Sequence, residues 1–228
     1  TEHPAVDVRL RLGNREQLVA LMEANEVDLC VMGRAPVDFA SRAEPFAMHP
    51  HVLVTAPTHR FARAESVPAQ ALADEPFIVR EPASGTRTAL QEYLDKHRLK
   101  PTFVMEMPSN EAIKQAVMAG MGVSLLSLHT IGLERRAGLL AVPDIEGLPV
   151  LKRWYVVNNL SKTLSPAAEA FRYFILEEGE RFLAQEYGTP EWRAQTFVMD
   201  LNYYYERSIE NGLDPIHNEF VHQAQGQP

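Results

Sequence analysis

The order strand, helix, strand at the start of this chain constrains its fold more than any other feature. Apolar residues alternate with polar ones at Val6, Val8, Leu10 and Leu12. This period of two predicts a half-buried strand, and Asn14 is placed to cap a following helix. The continuous apolar run DLCVMG at 28–33 predicts a strand covered on both faces, as in parallel sheets. The N-terminal region therefore predicts a βαβ unit and an α/β fold.

Strand and helix signals continue to alternate as far as residue 187. Further strands are predicted at 51–57, 75–81, 103–107 and 153–159. Helices are predicted to start at residues whose side chains can act as caps, namely Ser84, Asn110 and Ser165. Gly120 is placed to end the second of these helices. The repeated order predicts a doubly wound α/β architecture.

Composition excludes several classes of function. The net charge of −8 argues against nucleic-acid binding by the chain itself, because phosphate contacts require a clustered basic surface. No apolar run reaches the roughly 20 residues that span a bilayer, and residues 1–10 do not resemble a signal peptide. Cys30 is the single cysteine, so an internal disulfide and a Cys-ligated iron–sulfur cluster are excluded. We expect a buried thiol and a cytoplasmic location.

The most informative local pattern is REPASGTR at 80–87. A strand ends there, a turn of small residues follows, and a helix begins, so exposed N–H groups and the helix dipole could hold a carboxylate or phosphate. Candidate contacts lie at this turn, at the end of an earlier strand and at the next helix start, namely Ser84, Gly85, Thr86, Gly33, Arg34 and Asn110. An ordinary helix cap is the alternative interpretation of the same residues.

The pattern of polar residues up to 187 indicates a binding module. No nucleophile–base pair can be argued from spacing, and neither a P-loop nor GxGxxG occurs. His49, His51 and His59 do not have a spacing typical of metal ligands. We therefore expect no enzymatic activity and no required cofactor.

Residues 1–187 resemble the effector-binding domain of LysR-type transcriptional regulators. The resemblance rests on VDLCVMGR, HVLVTAPTHRFA, FIVREPASGTRTALQEYL, NEAIKQAVMAGMGVSLL and LSPAAEAFRYFILEEG. Two further stretches, NREQLVALMEANEVDL and GLLAVPDIEGLPVLKRWYVV, resemble the subgroup that controls carbon-fixation operons.

This resemblance implies a two-lobed fold like that of type II periplasmic binding proteins. Subdomain I would comprise 1–56 and 155–187, and subdomain II would comprise 57–154. A small anionic effector, such as a sugar phosphate, a phosphoglycerate-like acid or NADPH, would bind in the interlobe cleft and bias the angle between the lobes. The implied effector contacts are the six candidate residues named above. Full-length members are dimers or tetramers.

This sequence departs from the pattern of the LysR family in two ways. The family's N-terminal DNA-binding domain is absent from this sequence, so we expect DNA contact only through that missing part. From the resemblance we also expect the first strand and helix of subdomain I to lie before residue 1, so that the fold is N-terminally truncated. We therefore expect an exposed sheet edge and a weakened subdomain I.

The C-terminal residues 188–228 resemble a different family. The stretch ENGLDPIHNEFVH at 210–222 is similar to the catalytic domain of Rieske-type non-haem iron oxygenases. That resemblance implies that His217 and His222 are iron ligands and that Asp214 is an electron-relay position. The third ligand of the iron triad and the Rieske cluster are both lacking. We expect a vestigial, non-functional oxygenase fragment that requires no iron.

Two rival hypotheses remain from the sequence. The first is an iron-dependent oxygenase fragment, which would contain stoichiometric iron. The second is a periplasmic solute-binding protein, which shares the implied fold but would require a signal peptide.

Overall fold

The computed structural model describes residues 6–37, 39–185 and 197–202. The strands are β1 (Asp7–Leu12), β2 (Leu29–Met32), β3 (Ser41–Val54), β4 (Phe77–Arg80), β5 (Phe103–Met107), β6 (Ser124–Ser127), β7 (Val150–Asn159) and β8 (Phe197–Asn202). The α-helices are α1 (Arg15–Glu23), α2 (Gly85–His97), α3 (Asn110–Met118), α4 (Gly132–Arg136) and α5 (Pro166–Gln185). Two short 3₁₀-helices span Ala69–Asp74 and Leu128–Thr130. Within the described ranges, no helix is both long enough and apolar enough to cross a membrane.

The chain divides into two compact units. Unit 1 comprises residues 1–48 and 153–228, and unit 2 is His49–Lys152. β3 and β7 are continuous strands that each contribute residues to both units. The sequence placed the first boundary after residue 56 and the second after residue 154. The first predicted boundary lies eight residues beyond the structural one, just after the end of β3. The second lies two residues beyond the structural one, within β7.

Unit 1 has the strand order β1–β8–β2–β7–β3. α1 starts with a capping box in which the Asn14 side chain accepts from the Gln17 N–H, as the sequence predicted for this cap. The residues of β2 are divided between two apolar clusters: Leu29 and Val31 pack in a cluster with α5, and Cys30 packs in a cluster with α1. This burial raises the pKa of the Cys30 thiol, so it is an inert structural thiol as expected.

Residues 197–202 contribute a strand to the sheet of unit 1. The sequence predicted an exposed strand edge in this unit. In the structure β8, from the C-terminal region, pairs antiparallel with both β1 and β2. In the described part of the chain β1 stands at the end of the strand order, so the exposed edge remains a prediction. The sequence did not predict a strand at 197–202.

The strands of unit 2 are arranged around β4, which forms a two-stranded sheet with β5. β4 pairs parallel with β5 over four positions, and a parallel bridge joins Phe77 to Val123 immediately before β6. β6 pairs antiparallel with the second half of β3. Two apolar clusters cover the sheet, one containing residues of α2 and the other residues of α3. The three parallel strands therefore end at one edge of this sheet, at Arg80, Met107 and Ser127.

Candidate functional site

The carboxyl edge of the unit 2 sheet brings two helix starts together. The parallel register pairs Arg80, the last residue of β4, with Met107, the last residue of β5. α2 begins shortly after the first of these strands and α3 shortly after the second. Ligands of open α/β sheets bind at this edge, because the helix N-termini point toward it.

The start of α2 has the cap that the sequence predicted. Ser84 is buried, and its hydroxyl oxygen accepts a hydrogen bond from the Thr86 N–H at 3.2 Å. The Ser84 carbonyl accepts from the Thr88 N–H at 3.1 Å. Gly85 is exposed and has no heavy atom within 4 Å of the position that a Cβ would take. The first turn of α2 is therefore open on the side of Gly85, which leaves space for an incoming anion.

The start of α3 differs from the sequence prediction. Ser109, and not Asn110, is the N-cap residue, with its hydroxyl accepting from the Glu111 and Ala112 N–H groups at 3.2 and 3.5 Å. Asn110 is the first residue of the helix, and its side-chain oxygen accepts from Arg80 Nη1 at 2.6 Å. The prediction that Asn110 caps α3 was wrong, because Ser109 already satisfies the first N–H groups.

Arg80 is a site residue that the sequence did not single out. Its guanidinium donates to Asn110 and forms a two-pronged pair with Glu81 at 2.8 and 2.9 Å. Its carbonyl accepts from Arg87 Nη1 at 2.9 Å, and the Arg87 guanidinium lies 3.6 Å from the Glu106 carboxylate. The signal available in the sequence was an Arg at the end of a buried strand, next to the small-residue turn.

The electrostatics of this edge suit a small anion. Two helix N-termini supply partial positive charge, and Arg80 supplies a guanidinium that can hold a carboxylate or phosphate through two hydrogen bonds. In the structure the Glu81 carboxylate accepts the hydrogen bonds from Nε and Nη2 of Arg80. A bound anion would compete with Glu81 for Arg80, so binding and the position of Arg80 are coupled.

Gly33 and Arg34 lie in unit 1, directly after β2. Gly33 is half-buried and Arg34 is exposed. The structure thus brings Ser84, Gly85, Thr86 and Asn110 to one edge of unit 2, whereas the other two predicted residues belong to unit 1. Their contribution to effector binding remains a prediction.

A histidine cluster lies beside the end of β6. His51 pairs in register with Ser127, and its ring lies 4.3 Å from that of His49, centroid to centroid. The rings of His49 and His129 are 6.1 Å apart. Burial lowers the pKa of His51 to about 4, and it lowers the pKa of His49 well below its usual value. His49 and His51 had no spacing typical of metal ligands, and the sequence did not single out His129, because the proximity of the three rings depends on strand pairing.

The predicted iron residues Asp214, His217 and His222 lie outside the described residues. Among residues 6–37, 39–185 and 197–202, no group of three or more His, Cys, Asp or Glu side chains could hold a metal ion. The vestigial iron site therefore remains a prediction.

The chain is similar to several known regulators. The LysR substrate binding domain family matches residues 1–180. The transcriptional regulator CfxR of Cupriavidus necator is 48% identical over 186 residues, which are 82% of this chain and 59% of that protein. A RuBisCO operon transcriptional regulator of Allochromatium vinosum is 41% identical over 179 residues, which are 78% of this chain and 59% of that protein. This chain thus spans less than two thirds of the length of these relatives.

Solved structures agree with this relationship. The CcmR regulatory domain of Synechocystis PCC6803, in complex with 2-PG, has a TM-score of 0.70 and 37% identity, covering 73% of this chain and 80% of that one. The effector-binding domain of QuiR, in complex with shikimate, has a TM-score of 0.66 at 20% identity, covering 73% and 78%. The second likeness shows the fold alone. Together they confirm the predicted two-lobed α/β fold.

The family match does not extend to residues 190–228, so it lends no support to the second resemblance, to iron oxygenases. The family match covers most of the chain, and the relatives it resembles are named as transcriptional regulators. The chain belongs to the LysR substrate-binding domain family.

Proposed function

We propose that this chain is the ligand-sensing domain of a LysR-type regulator of the carbon-fixation subgroup, and that it binds a small anionic metabolite. The observation that carries this proposal is the meeting of two helix N-termini at one sheet edge, joined by the 2.6 Å hydrogen bond between Arg80 and Asn110. Relatives named CfxR and RuBisCO operon regulator support the subgroup. The neighbour that holds 2-PG supports a small ligand.

The regulatory step requires two states that bind the ligand with different affinity. In this proposal the ligand draws Arg80 away from Glu81 and draws the first turns of α2 and α3 toward one anion. The altered domain would then act on paired subunits of a dimer or tetramer, and on DNA through a separate DNA-binding domain. Such a regulator works in the cytoplasm.

Calorimetric titration tests the proposal directly. The probes are 2-phosphoglycolate, phosphoglycerate, phosphoenolpyruvate, a pentose bisphosphate and NADPH, with inorganic sulfate as the reference anion. We expect at least one probe to bind ten times more tightly than sulfate. If none of the probes bound, the assignment to the carbon-fixation subgroup would be contradicted.

Two cap substitutions form a matched pair for this titration. Ser84→Ala removes the hydroxyl at the start of α2, and Ser165→Ala removes the equivalent cap of α5 in unit 1, whose hydroxyl accepts from the Ala168 N–H at 3.2 Å. We expect Ser84→Ala and Asn110→Ala each to weaken binding about tenfold, as loss of a charge-assisted hydrogen bond does. Equal affinities for the Ser84→Ala and Ser165→Ala variants would contradict a site at α2.

A further inference from the structure

We propose that the effector of this domain carries a hydroxyl group, and that this group donates a hydrogen bond to Nε2 of His51. His51 thereby selects among small anions that all suit the start of α2. This inference rests on the proposed function, because it adds one contact to the same binding site. Two features of His51 carry it, namely a ring nitrogen that lacks a donor and a position on the side of the strands that α2 covers.

The hydrogen bond of the His51 ring shows which ring nitrogen carries the hydrogen. Nδ1 lies 3.2 Å from the His49 carbonyl oxygen. Because a carbonyl oxygen only accepts hydrogen bonds, Nδ1 is the donor. Burial lowers the pKa of His51 to about 4, so the ring is neutral near pH 7. In a neutral ring with its hydrogen on Nδ1, Nε2 has a free lone pair and can only accept.

Nε2 of His51 is a buried acceptor that has no hydrogen-bond partner in the part of the chain that the structure describes. The residue is only 2% exposed, and a buried acceptor without a donor is destabilising. A donor that arrives with a ligand would account for such an atom. Carboxylates and ionised phosphates only accept, whereas a hydroxyl group can donate. A hydroxyl on the ligand therefore suits Nε2, and the anionic groups do not.

The alternation of side chains along β3 places His51 on the side that α2 covers. Leu53 of β3 and its partner Leu125 of β6 belong to the apolar cluster that contains Leu90 of α2. Val52, between His51 and Leu53, belongs to the other cluster, which contains residues of α3. Side chains two positions apart in a strand share a face. His51 therefore lies on the same face as Leu53, beneath α2.

The strand register places His51 at the edge where α2 begins. His51 pairs with Ser127, the last residue of β6, and β6 ends at the same edge as β4. α2 packs on both of these strands and starts at this edge, with Ser84 as its cap and an open first turn at Gly85. The open turn and His51 thus share one face and one edge of unit 2, which is the placement that one small ligand would require.

Two matched pairs of ligands test the inference on the wild-type chain. The first pair is 3-phosphoglycerate and 3-phosphopropionate, and the second is ribulose 1,5-bisphosphate and the bisphosphate of pentane-1,5-diol. In each pair the second compound keeps the anionic groups and lacks every hydroxyl group. We expect the hydroxyl-bearing member of at least one pair to bind at least ten times more tightly in calorimetric titration, because a site built to bond a hydroxyl rejects the analogue without it.

The outcomes separate this inference from the proposed function. Equal affinities within both pairs would overturn the role of His51 and leave the anion site in place. If none of the four compounds bound, the proposed function would be overturned, and this inference with it.

The substitution His51→Phe tests whether His51 is the residue that recognises the hydroxyl group. It keeps a planar ring and removes Nε2, so the tenfold preference should fall below twofold. His97→Phe is the matched control, because His97 lies at the far end of α2 and also has a buried Nε2 without a partner among the described residues. We expect this control to keep the preference. A preference that persists in the His51→Phe variant would overturn the inference.

Nitrogen NMR of the histidine-labelled wild type decides the matter if His51→Phe does not fold. The His51 signals are assigned by their absence from the His51→Asn variant. We expect a hydrogen on Nδ1 and an upfield shift of the Nε2 resonance when the hydroxyl-bearing ligand binds, but not when its matched analogue binds. A hydrogen on Nε2 in the free protein, or the same shift with both ligands, would overturn the inference.

Discussion

Lys114 is a charged residue on the buried side of α3. Its ammonium donates to the Thr130 carbonyl at 3.0 Å and to Glu134 at 2.9 Å, and it lies 2.7 Å from Glu111. Only 1% of the residue is exposed. A buried charge is tolerated only when it is paired and hydrogen-bonded, so these three partners account for the position of Lys114 in the core.

Removing the lysine side chain should destabilise the protein strongly. Lys114→Ala leaves the Glu134 carboxylate buried without its cation, which costs about 3–5 kcal/mol of unfolding free energy. The measurement is urea unfolding, with the exposed Lys96→Ala in α2 as the control. The double variant Lys114→Met with Glu134→Leu should recover most of the loss. Equal unfolding free energies for the Lys114→Ala and Lys96→Ala variants would contradict this account.

The histidine cluster makes stability depend on pH. Burial opposes the charged form of His51 and lowers its pKa to about 4, with Lys152 and His129 also disfavouring the charge. The unfolded chain binds this proton at about pH 6.5, so it binds more protons than the folded chain between these two values. The contribution of His51 is complete above pH 6.5 and is lost as the pH falls toward 4, by roughly 1 kcal/mol per pH unit.

His51→Asn should flatten this dependence. Urea unfolding of wild type and variant is compared from pH 7.5 to 4.5, and the difference between their unfolding free energies should change steadily below pH 6.5 and remain constant above it. Parallel curves across the whole range would show that His51 is not held neutral by its surroundings.

At the scale of elements, the helix caps were the most predictable feature. Asn14, Ser84 and Ser165 cap α1, α2 and α5 as the sequence predicted, because capping depends on residues only two or three positions apart. Gly120 has a φ of 76° after α3, which is the C′ role predicted for it. Asn110 was the exception, since its hydrogen bond to Arg80 joins residues 30 positions apart.

The connection between α3 and β6 depends on Gly122. A Cβ at this position would lie 2.4 Å from the Pro76 carbonyl oxygen, and that oxygen also accepts from the Val123 N–H at 2.9 Å. The backbone at Pro76 therefore leaves no space for a Cβ atom at position 122, so this position requires glycine.

Gly122→Ala should destabilise the protein by about 1–3 kcal/mol, as overpacking against a fixed backbone does. Gly85→Ala is the matched control: it adds the same methyl group where no heavy atom lies within 4 Å, and it should change stability by less than about 0.5 kcal/mol. Urea unfolding of both variants is the measurement. Equal effects would show that the loop at Gly122 relaxes freely.

At the scale of the whole molecule, a ligand that binds the folded state should raise the melting temperature. At a concentration of 100 times Kd the stabilisation is about 3 kcal/mol, which for a chain of this size corresponds to about 6–12 °C. Differential scanning calorimetry with the tightest probe should show this shift in the wild type. The shift should shrink in the Asn110→Ala variant at the same ligand concentration, and an equal shift with sulfate would indicate a general salt effect.

Local sequence was enough to predict most strands and helices up to residue 185, most caps and the family, because these depend on periodicities and hydrogen bonds between near neighbours in the chain. It also indicated the turn at Ser84–Thr86. Three features became visible only in the folded chain: Arg80 joins the two helix starts, His49, His51 and His129 share one buried cluster, and β8 lies between β1 and β2. Each of these depends on strand pairing between distant segments, and local sequence does not specify which segments will pair.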